Sequence, residues 1–500
     1  MAKKIVIVGG GLAGLSAGIY ARMNGYEVQI LERHTVPGGL CTGWSRGGYH
    51  VDGCIHWLIG TKDGTPSNRL LREIGALDGT PIVHHDVFTR IDTGPAGNAA
   101  PFIVYGNADR LREHMLEIAP EDACAIEDLV ARIKRLADFP FPEKPVELMG
   151  IRDMFSFFAT MKPFYADYKE LGKITLAEYA TRFKSPRLRE GIAGLFGDMP
   201  DFSALGAAMM LAWQHAGDGG YPVGGSLALA KRVERRYLNL GGSIRYGASV
   251  SEISVKGGKA VGVVLANGEK VPADIVVSAA DGHATLFDML KGRYVTRALR
   301  RMYETFPIFE PLLILSLGVA RDLSAEPHQA VRALKKPISV EGKTHAKLGV
   351  KQYCYDPSLA PAGKSVIEIM YSSDYDYWKR LSADRAAYDR EKALIAKTLI
   401  GALEEFYPGI SADIEMTDVA TPLTFERYTG NWRGSYEGWR LTPRATTTRV
   451  RKTLPGLKNF YMIGQWVQPG GGIPNAVSSG RDLAWILCSR DGKAFKVAAS

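Results

Sequence analysis

The chain has 500 residues, 46% of them hydrophobic, and its 62 Lys and Arg against 53 Asp and Glu leave a net charge of +9. That length is about three times a common domain and predicts two intertwined domains or one large two-part architecture, while the apolar share excludes disorder. The basic excess is mild and contains no long run, which argues against a nucleic-acid partner and fits an anionic cofactor or a membrane surface.

The five cysteines, Cys41, Cys54, Cys124, Cys354 and Cys488, are scattered, with no C-x-x-C pair. Neither a disulfide scaffold, a zinc site nor a dithiol redox couple is therefore expected, and no metal ligands are assigned. The apolar run Ile5–Val8 is too short for a signal core, and no 18-residue apolar stretch follows it. A reducing, cytoplasmic location is expected.

In chain order, Ile5–Val8 reads as a strand buried on both faces. It runs into G-x-G-x-x-G, with Gly9, Gly11 and Gly14 in the glycine positions and Leu12 and Ala13 between them. Gly9 suits the tight turn, Gly11 the close approach of a pyrophosphate, and Gly14 the packing of helix on strand. Leu15, Ile19 and Met23 mark the helix, and a second strand, Glu27–Leu31, ends at Glu32, whose carboxylate is placed to accept from an adenosine ribose. A strand before the motif, a helix after it and an acid ending the next strand make dinucleotide binding the expected function of this segment.

Arg33 to Gly39 then brings a second glycine pair, Gly38-Gly39, and no second strand-linked G-x-G-x-x-G occurs downstream. FAD is favoured over a nicotinamide. Alternating strands with turns at Gly257-Gly258 and Asn267-Gly268 follow, closed by a buried strand at Ile275–Val277. Near the end, Asn459–Gly464 reads as a strand, and Gly470-Gly471-Gly472 precedes Ile473-Pro474 at the start of a helix to about Leu487. Such a glycine-flanked helix start offers N–H groups to a reduced flavin ring.

Taken together, these motifs resemble the phytoene desaturase (carotenoid desaturase/isomerase) family of FAD-dependent oxidoreductases. Tyr49–Gly53, Tyr221–Ser226, Thr421-Pro422 with Gly434-Ser435, and Pro469–Pro474 carry the resemblance in the same order along the chain. It implies an α/β fold with a discontinuous Rossmann-like FAD-binding domain (residues 1–90, 225–292 and 422–495) and an inserted α+β substrate domain (91–224 and 293–421). Strands at Leu312–Leu317 and Val366–Met370 and a helix over Ala386–Phe406 fit the inserted part. The strand near Val250 is expected beside the adenine. Two departures stand out: Leu40 replaces the arginine usual after the glycine pair, leaving Arg33 or backbone groups for the phosphate. Gly464-Gln-Trp-Val-Gln468 replaces the usual Gly-Ala-Gly-Thr-His.

The implied chemistry is hydride transfer from an apolar isoprenoid or polyene to flavin N5, with a quinone or oxygen as acceptor. A redox-neutral isomerase or a saturase, a non-catalytic flavin subunit and an amine oxidase are the alternatives. His56, following the Asp52-Gly53 turn, is the candidate acid/base, with Cys54, Cys41 and Gln465 beside it and Trp466 as a cavity wall. The aromatic stretch Asp153–Tyr165 reads as a core-facing helix in preference to a channel rim or a membrane contact, and Gly206–Trp213, with Met209 and Met210, reads as core.

Overall fold

The computed structural model describes residues 2–94, 98–197, 199–446 and 448–497. A five-stranded parallel sheet is ordered Ser243–Arg245, Glu27–Leu31, Lys4–Val8, Ile275–Ser278, Phe460–Met462. Side chains of the opening strand alternate, and both faces are covered. Ile5 and Ile7 pack under helices Leu12–Met23, Gly225–Asn239 and Ile473–Arg490, whereas Val6 and Val8 pack against the meander Val250–Lys256, Lys259–Leu265 and Lys270–Pro272. This two-sided burial is why the strand is a continuous β-branched run.

The register aligns Val8 with Leu31 and Ser278, and Ser278 with Met462, so the carboxyl ends of four strands open on one side. Helices Leu12–Met23 and Ile473–Arg490 run side by side there. A Cβ on Gly480 would lie 2.6 Å from the Ala17 amide nitrogen, and Ser16 Oγ donates to the Val477 carbonyl at 2.7 Å. Small residues at this contact therefore hold two helix starts, 460 residues apart in sequence, next to one another.

The second sheet has seven strands, ordered Ile414–Ala420, Leu312–Val319, Ser365–Ser372, Lys343–Gln352, Gln329–Val340, Val87–Ile91, Phe102–Tyr105, antiparallel except where Gln329–Val340 meets Val87–Ile91. Strand Val87–Ile91, which belongs to this sheet, straddles residue 90, the boundary expected between the two parts. Ile367 and Ile369 pack with Ile395 and Leu399 of helix Arg385–Leu403, while the alternate residues Glu368 and Met370 face a cavity. A helical cluster built around Ala123–Leu136 and Ala204–His215 closes the far side.

The expected core-facing aromatic helix is corrected. Helix Ile151–Met161 buries only Met161, and Ile151, Phe155 and Phe158 are 78%, 72% and 61% exposed. The helix is apolar on more than one side. Phe157 packs on the helical cluster with Met161, while Ile151, Phe155 and Phe158, at i, i+4 and i+7, form a largely exposed apolar face.

Candidate active site

The sheet's carboxyl ends, the paired helix starts and the second sheet enclose one continuous cavity of about 2450 Å³. A pocket for one drug-sized ligand spans roughly 300–1,000 Å³, so this space has room for a dinucleotide and a second ligand together.

At the nucleotide end the backbone does the shaping. Gly9 turns with φ +103°, and its N–H donates to the Leu31 carbonyl at 2.9 Å. The Gly38 N–H donates to the Gly10 carbonyl at 2.9 Å, so the second glycine loop is tied to the first. Gly9, Gly11, Leu12, Ala13, Gly38, Gly39 and Leu40 all line the cavity. Gly14 does not. A Cβ there would stand 2.1 Å from the Gly9 carbonyl oxygen, so this glycine sets the distance between helix and strand.

Glu32 is buried, and its carboxylate accepts from Gly10 N at 2.6 Å and His34 N at 2.7 Å. It pins the glycine turn as well as facing the cavity. Arg33 also reaches the cavity; its Nη2 donates to the Arg427 carbonyl at 3.2 Å. Val250 lines the wall between Ser249 and Ser251.

The closing segment meets this end. Gly470, Gly471 and Gly472 have φ of +97°, +55° and +82°, and Gly472 caps helix Ile473–Arg490 without any side-chain acceptor, as Gly11 does for helix Leu12–Met23. Two helix starts with free N–H groups and positive dipole ends thus open into one cavity. Gly464 N donates to Ser479 Oγ at 2.8 Å. Gln465, a candidate catalytic residue, lies on the cavity wall, and its Nε2 donates to Asn431 Oδ1 at 3.0 Å. Buried Trp466 forms part of the wall, while Gln468 Oε1 is buried without a hydrogen-bond partner among the described residues.

Between the two ends lies a polar cluster that centres on His56. Asp52 accepts from Tyr221 Oη at 2.8 Å, from Ser226 Oγ and from Cys54 N at 3.2 Å, and Ser226 Oγ accepts from Ile55 N at 2.9 Å. These bonds fasten the 53–56 turn to the start of helix Gly225–Asn239.

His56 Nδ1 lies 2.8 Å from Lys351 Nζ. Lys351 is 2% exposed; burial pulls its ammonium down to about 8, against the opposing charges of Glu368 and Asp52. Burial, then the Lys351 charge, holds His56 well below its usual range, so the ring is neutral and Nδ1 accepts from the ammonium.

Glu368 stands opposite Lys351 on the neighbouring strand, accepts from Tyr353 Oη at 2.7 Å, and is pushed up to about 8 by burial. Its Oε1 is buried without a hydrogen-bond partner among the described residues. Lys351 and Glu368 were missed from sequence. The one signal was a carboxylate inside the apolar run Val366-Ile367-Glu368-Ile369-Met370.

The far end is greasy. Phe88, Phe139, Phe202, Met209, Met210 and Trp213 line it, and Trp57 packs against Trp213 with ring centroids 6.2 Å apart. Met209 and Met210 are core and cavity wall at once.

A family model described as flavin containing amine oxidoreductase matches residues 12–488. The chain belongs to that family. As a flavin-containing oxidoreductase it is an enzyme whose cofactor is FAD, and the glycine cradle, the two uncapped helix starts and the cavity volume fit that group. The chain is similar to a chloroplastic prolycopene isomerase of Daucus carota, 26% identical, covering 97% of this chain and 79% of that protein. It is also similar to a lycopene-forming phytoene desaturase of a Paracoccus strain, 24% identical over 98% of each chain. The resemblance to carotenoid desaturases and isomerases therefore runs through nearly the whole chain. A solved putrescine oxidase double mutant shares the fold, with a TM-score of 0.63 and 14% identity over 98% of this chain and 100% of that one.

Proposed function

We propose that this oxidoreductase acts on a long apolar polyene of the isoprenoid class and introduces a double bond into it. The observation that carries the reading is the single cavity that joins a backbone-built nucleotide cradle to an aromatic and methionine-lined chamber. Residues 1–90, 225–292 and 422–495 are assigned to the cofactor, and 91–224 and 293–421 to the substrate. Gly9, Gly11, Leu12, Ala13, Glu32, Arg33, Gly38 to Leu40, Val250 and the Gly464–Ile473 segment would hold FAD, with Gly14 seating the helix on the strand behind them; FAD when bound takes a hydride at N5. A membrane quinone or oxygen is the proposed final acceptor.

The chain's own part is to move the accompanying proton and exclude water. Lys351, with its ammonium near the titration midpoint at neutral to mildly basic pH, is assigned as the group that takes that proton. Neutral His56 fixes its position through the 2.8 Å contact. Glu368, facing Lys351 on the adjacent strand and raised to about 8, supplies the carboxylate that stabilises the Lys351 ammonium when it is ionised. The same poised pair supports a second reading, favoured by the similarity to prolycopene isomerase: a redox-neutral shift or isomerisation of a double bond.

Anaerobic addition of acyclic isoprenoid polyenes to the flavin-loaded protein separates these readings. Desaturation predicts bleaching of the visible flavin absorbance in step with product. Isomerisation predicts product only after prior reduction, with no net consumption of electrons. Neither response with any polyene tested would overturn the proposal.

Membrane contact belongs to the same proposal. The exposed face of Ile151, Phe155 and Phe158 lies beside the loop 139–147 that lines the cavity: Lys144 pairs with Asp153 at 2.7 Å, and Phe139 packs on Phe164 at 5.6 Å. We assign this face to a bilayer surface from which an oily substrate enters. Co-sedimentation with lipid vesicles tests the assignment, and protein left wholly in the supernatant would refute it.

A further inference from the structure

The spacing of the cysteines along the chain gave no reason to pair any two of them. The hairpin of strands Gly43–Arg46 and Tyr49–Asp52 does. Its register pairs Gly43 with Asp52, and beyond them Gly53 N donates to the Thr42 carbonyl at 3.0 Å, so the pairing continues by a further rung. Extended by one more rung, the same register would bring Cys41 opposite Cys54 in a position without a mutual backbone hydrogen bond. In a regular ladder, facing Cα atoms at such a position lie about 4.5 Å apart, within the roughly 4.4–6.8 Å that a disulfide spans.

The backbone N–H groups agree with such a rung, because Cys41 N donates to the Gly38 carbonyl at 3.1 Å and Cys54 N to Asp52 Oδ1 at 3.2 Å, neither across the pair. Cys54 is also the neighbour that acts most strongly on the Cys41 thiol, as expected of adjacent sulfurs, and Cys41 Sγ donates to the Ser226 carbonyl at 3.3 Å. Both residues line the cavity; Cys41 is buried, and Cys54 is half-buried and reachable.

We propose that Cys41 and Cys54 are a redox couple on the cavity wall, closing to an intramolecular disulfide under oxidation and reopening under reduction. With a low-molecular-weight disulfide as oxidant, the Cys54 thiolate attacks one sulfur of the oxidant, expels one thiol and leaves a mixed disulfide. Cys41 then attacks Cys54 Sγ and expels the second thiol. One S–S bond is consumed and one formed; the two protein thiols give up an electron pair and two protons to the released thiols. Cys54 is the sulfur that attacks the oxidant first, because it is the reachable one, while the neighbouring Cys54 and then burial push the buried Cys41 thiol up. Closure would link the Gly38-Gly39 loop to the turn carrying His56 and so connect the redox state of the cavity to both ends of the site.

Arg46 lies between the two cysteines, and trypsin cuts after Arg33, Arg46 and Lys62, so each cysteine falls in its own peptide. The test uses flavin-loaded protein with Cys124→Ser, which removes the exposed thiol, oxidised with glutathione disulfide, alkylated and digested without reductant. The expected result is a linked pair, His34–Arg46 with Gly47–Lys62, that accumulates on oxidation and disappears with dithiothreitol. Oxidation should also raise the melting temperature reversibly, and Cys54→Ser should abolish both responses while keeping its flavin. Separately alkylated peptides, or Cys54 held permanently as its glutathione adduct, would overturn the proposal. It stands independently of which substrate the enzyme takes.

Discussion

The two ends of the cavity are built from different parts of the chain's chemistry. At the nucleotide end the wall is backbone: glycine turns, two uncapped helix starts, and a carboxylate, Glu32, that spends its oxygens on main-chain N–H groups. At the far end the wall is side chain, supplied by rings and by two methionines whose flexible stems adapt to what they touch. A backbone wall fixes one ligand and tolerates almost no change. A side-chain wall fixes a class of ligand and tolerates a good deal, so the cofactor is read more finely than the substrate.

The sharpest way to break that contrast is one carbon at each end. Gly14→Ala puts a methyl 2.1 Å from the Gly9 carbonyl oxygen, a distance no rotamer relieves, so helix and strand must separate. Destabilisation beyond about 4 kcal/mol is expected, with purified protein free of flavin absorbance. Met209→Leu, a volume-conserving swap in the opposite wall, should cost less than about 1.5 kcal/mol and keep its flavin. Equal losses from the two changes, by thermal melting and flavin content, would remove the distinction.

Lys351→Met examines the seam between the ends. A proton-transfer group contributes about 10²–10⁴-fold to rate, and that is the loss expected in turnover at saturating substrate. The methionine relieves the burial of a charge, so the melting temperature should hold or rise while flavin content is unchanged. A variant that turns over normally would mean that Lys351 only fills space beside His56.

What could be read from the sequence follows the same division. The cradle was legible because its parts are local: Gly9 to Glu32 span one strand–helix–strand unit, and Gly38-Gly39 follows at once. The seam was not, because Lys351 and Glu368 become neighbours only through the register of two antiparallel strands and reach His56 across nearly 300 residues. Periodicity fails differently at Ile151, Phe155 and Phe158. It reveals an apolar face but not what covers it, and the packing role expected of that face falls to Phe157 and Met161. Cys41 and Cys54 carry no motif spacing at all; a hairpin turn at Gly47-Gly48 aligns them.

The pH dependence of stability sharpens the seam further. Glu368 is raised from 4.5 to about 8 in the fold. Between those values the native state keeps a proton that the unfolded chain has released, so stability falls as pH rises through the window. The contribution is fully present below about pH 4.5 and lost above about 8, and over that range it amounts to a few kcal/mol. Glu368→Gln keeps the acceptor for Tyr353 and removes its titration, so its urea-unfolding free energy should decline less steeply than wild type between pH 5 and 8, where Asp281 and Glu437, each raised to about 7, still contribute. Identical slopes would show that Glu368 is ionised in the native protein at neutral pH.

The smallest expected effect lies at the outer rim of the apolar end. Phe155→Ser combined with Phe158→Ser removes two rings that touch solvent rather than core, so folding stability should move by no more than about 0.5 kcal/mol. If the rings enter a bilayer, each forfeits part of the roughly 1.5–3 kcal/mol that burying such a side chain is worth, and vesicle affinity should drop about tenfold or more. Activity on detergent-dispersed polyene should stay unchanged, while activity on polyene held in vesicles should fall with the binding. Equal losses on both substrate forms would place the two rings in the substrate path itself, and the rim would then join the side-chain wall instead of the membrane face.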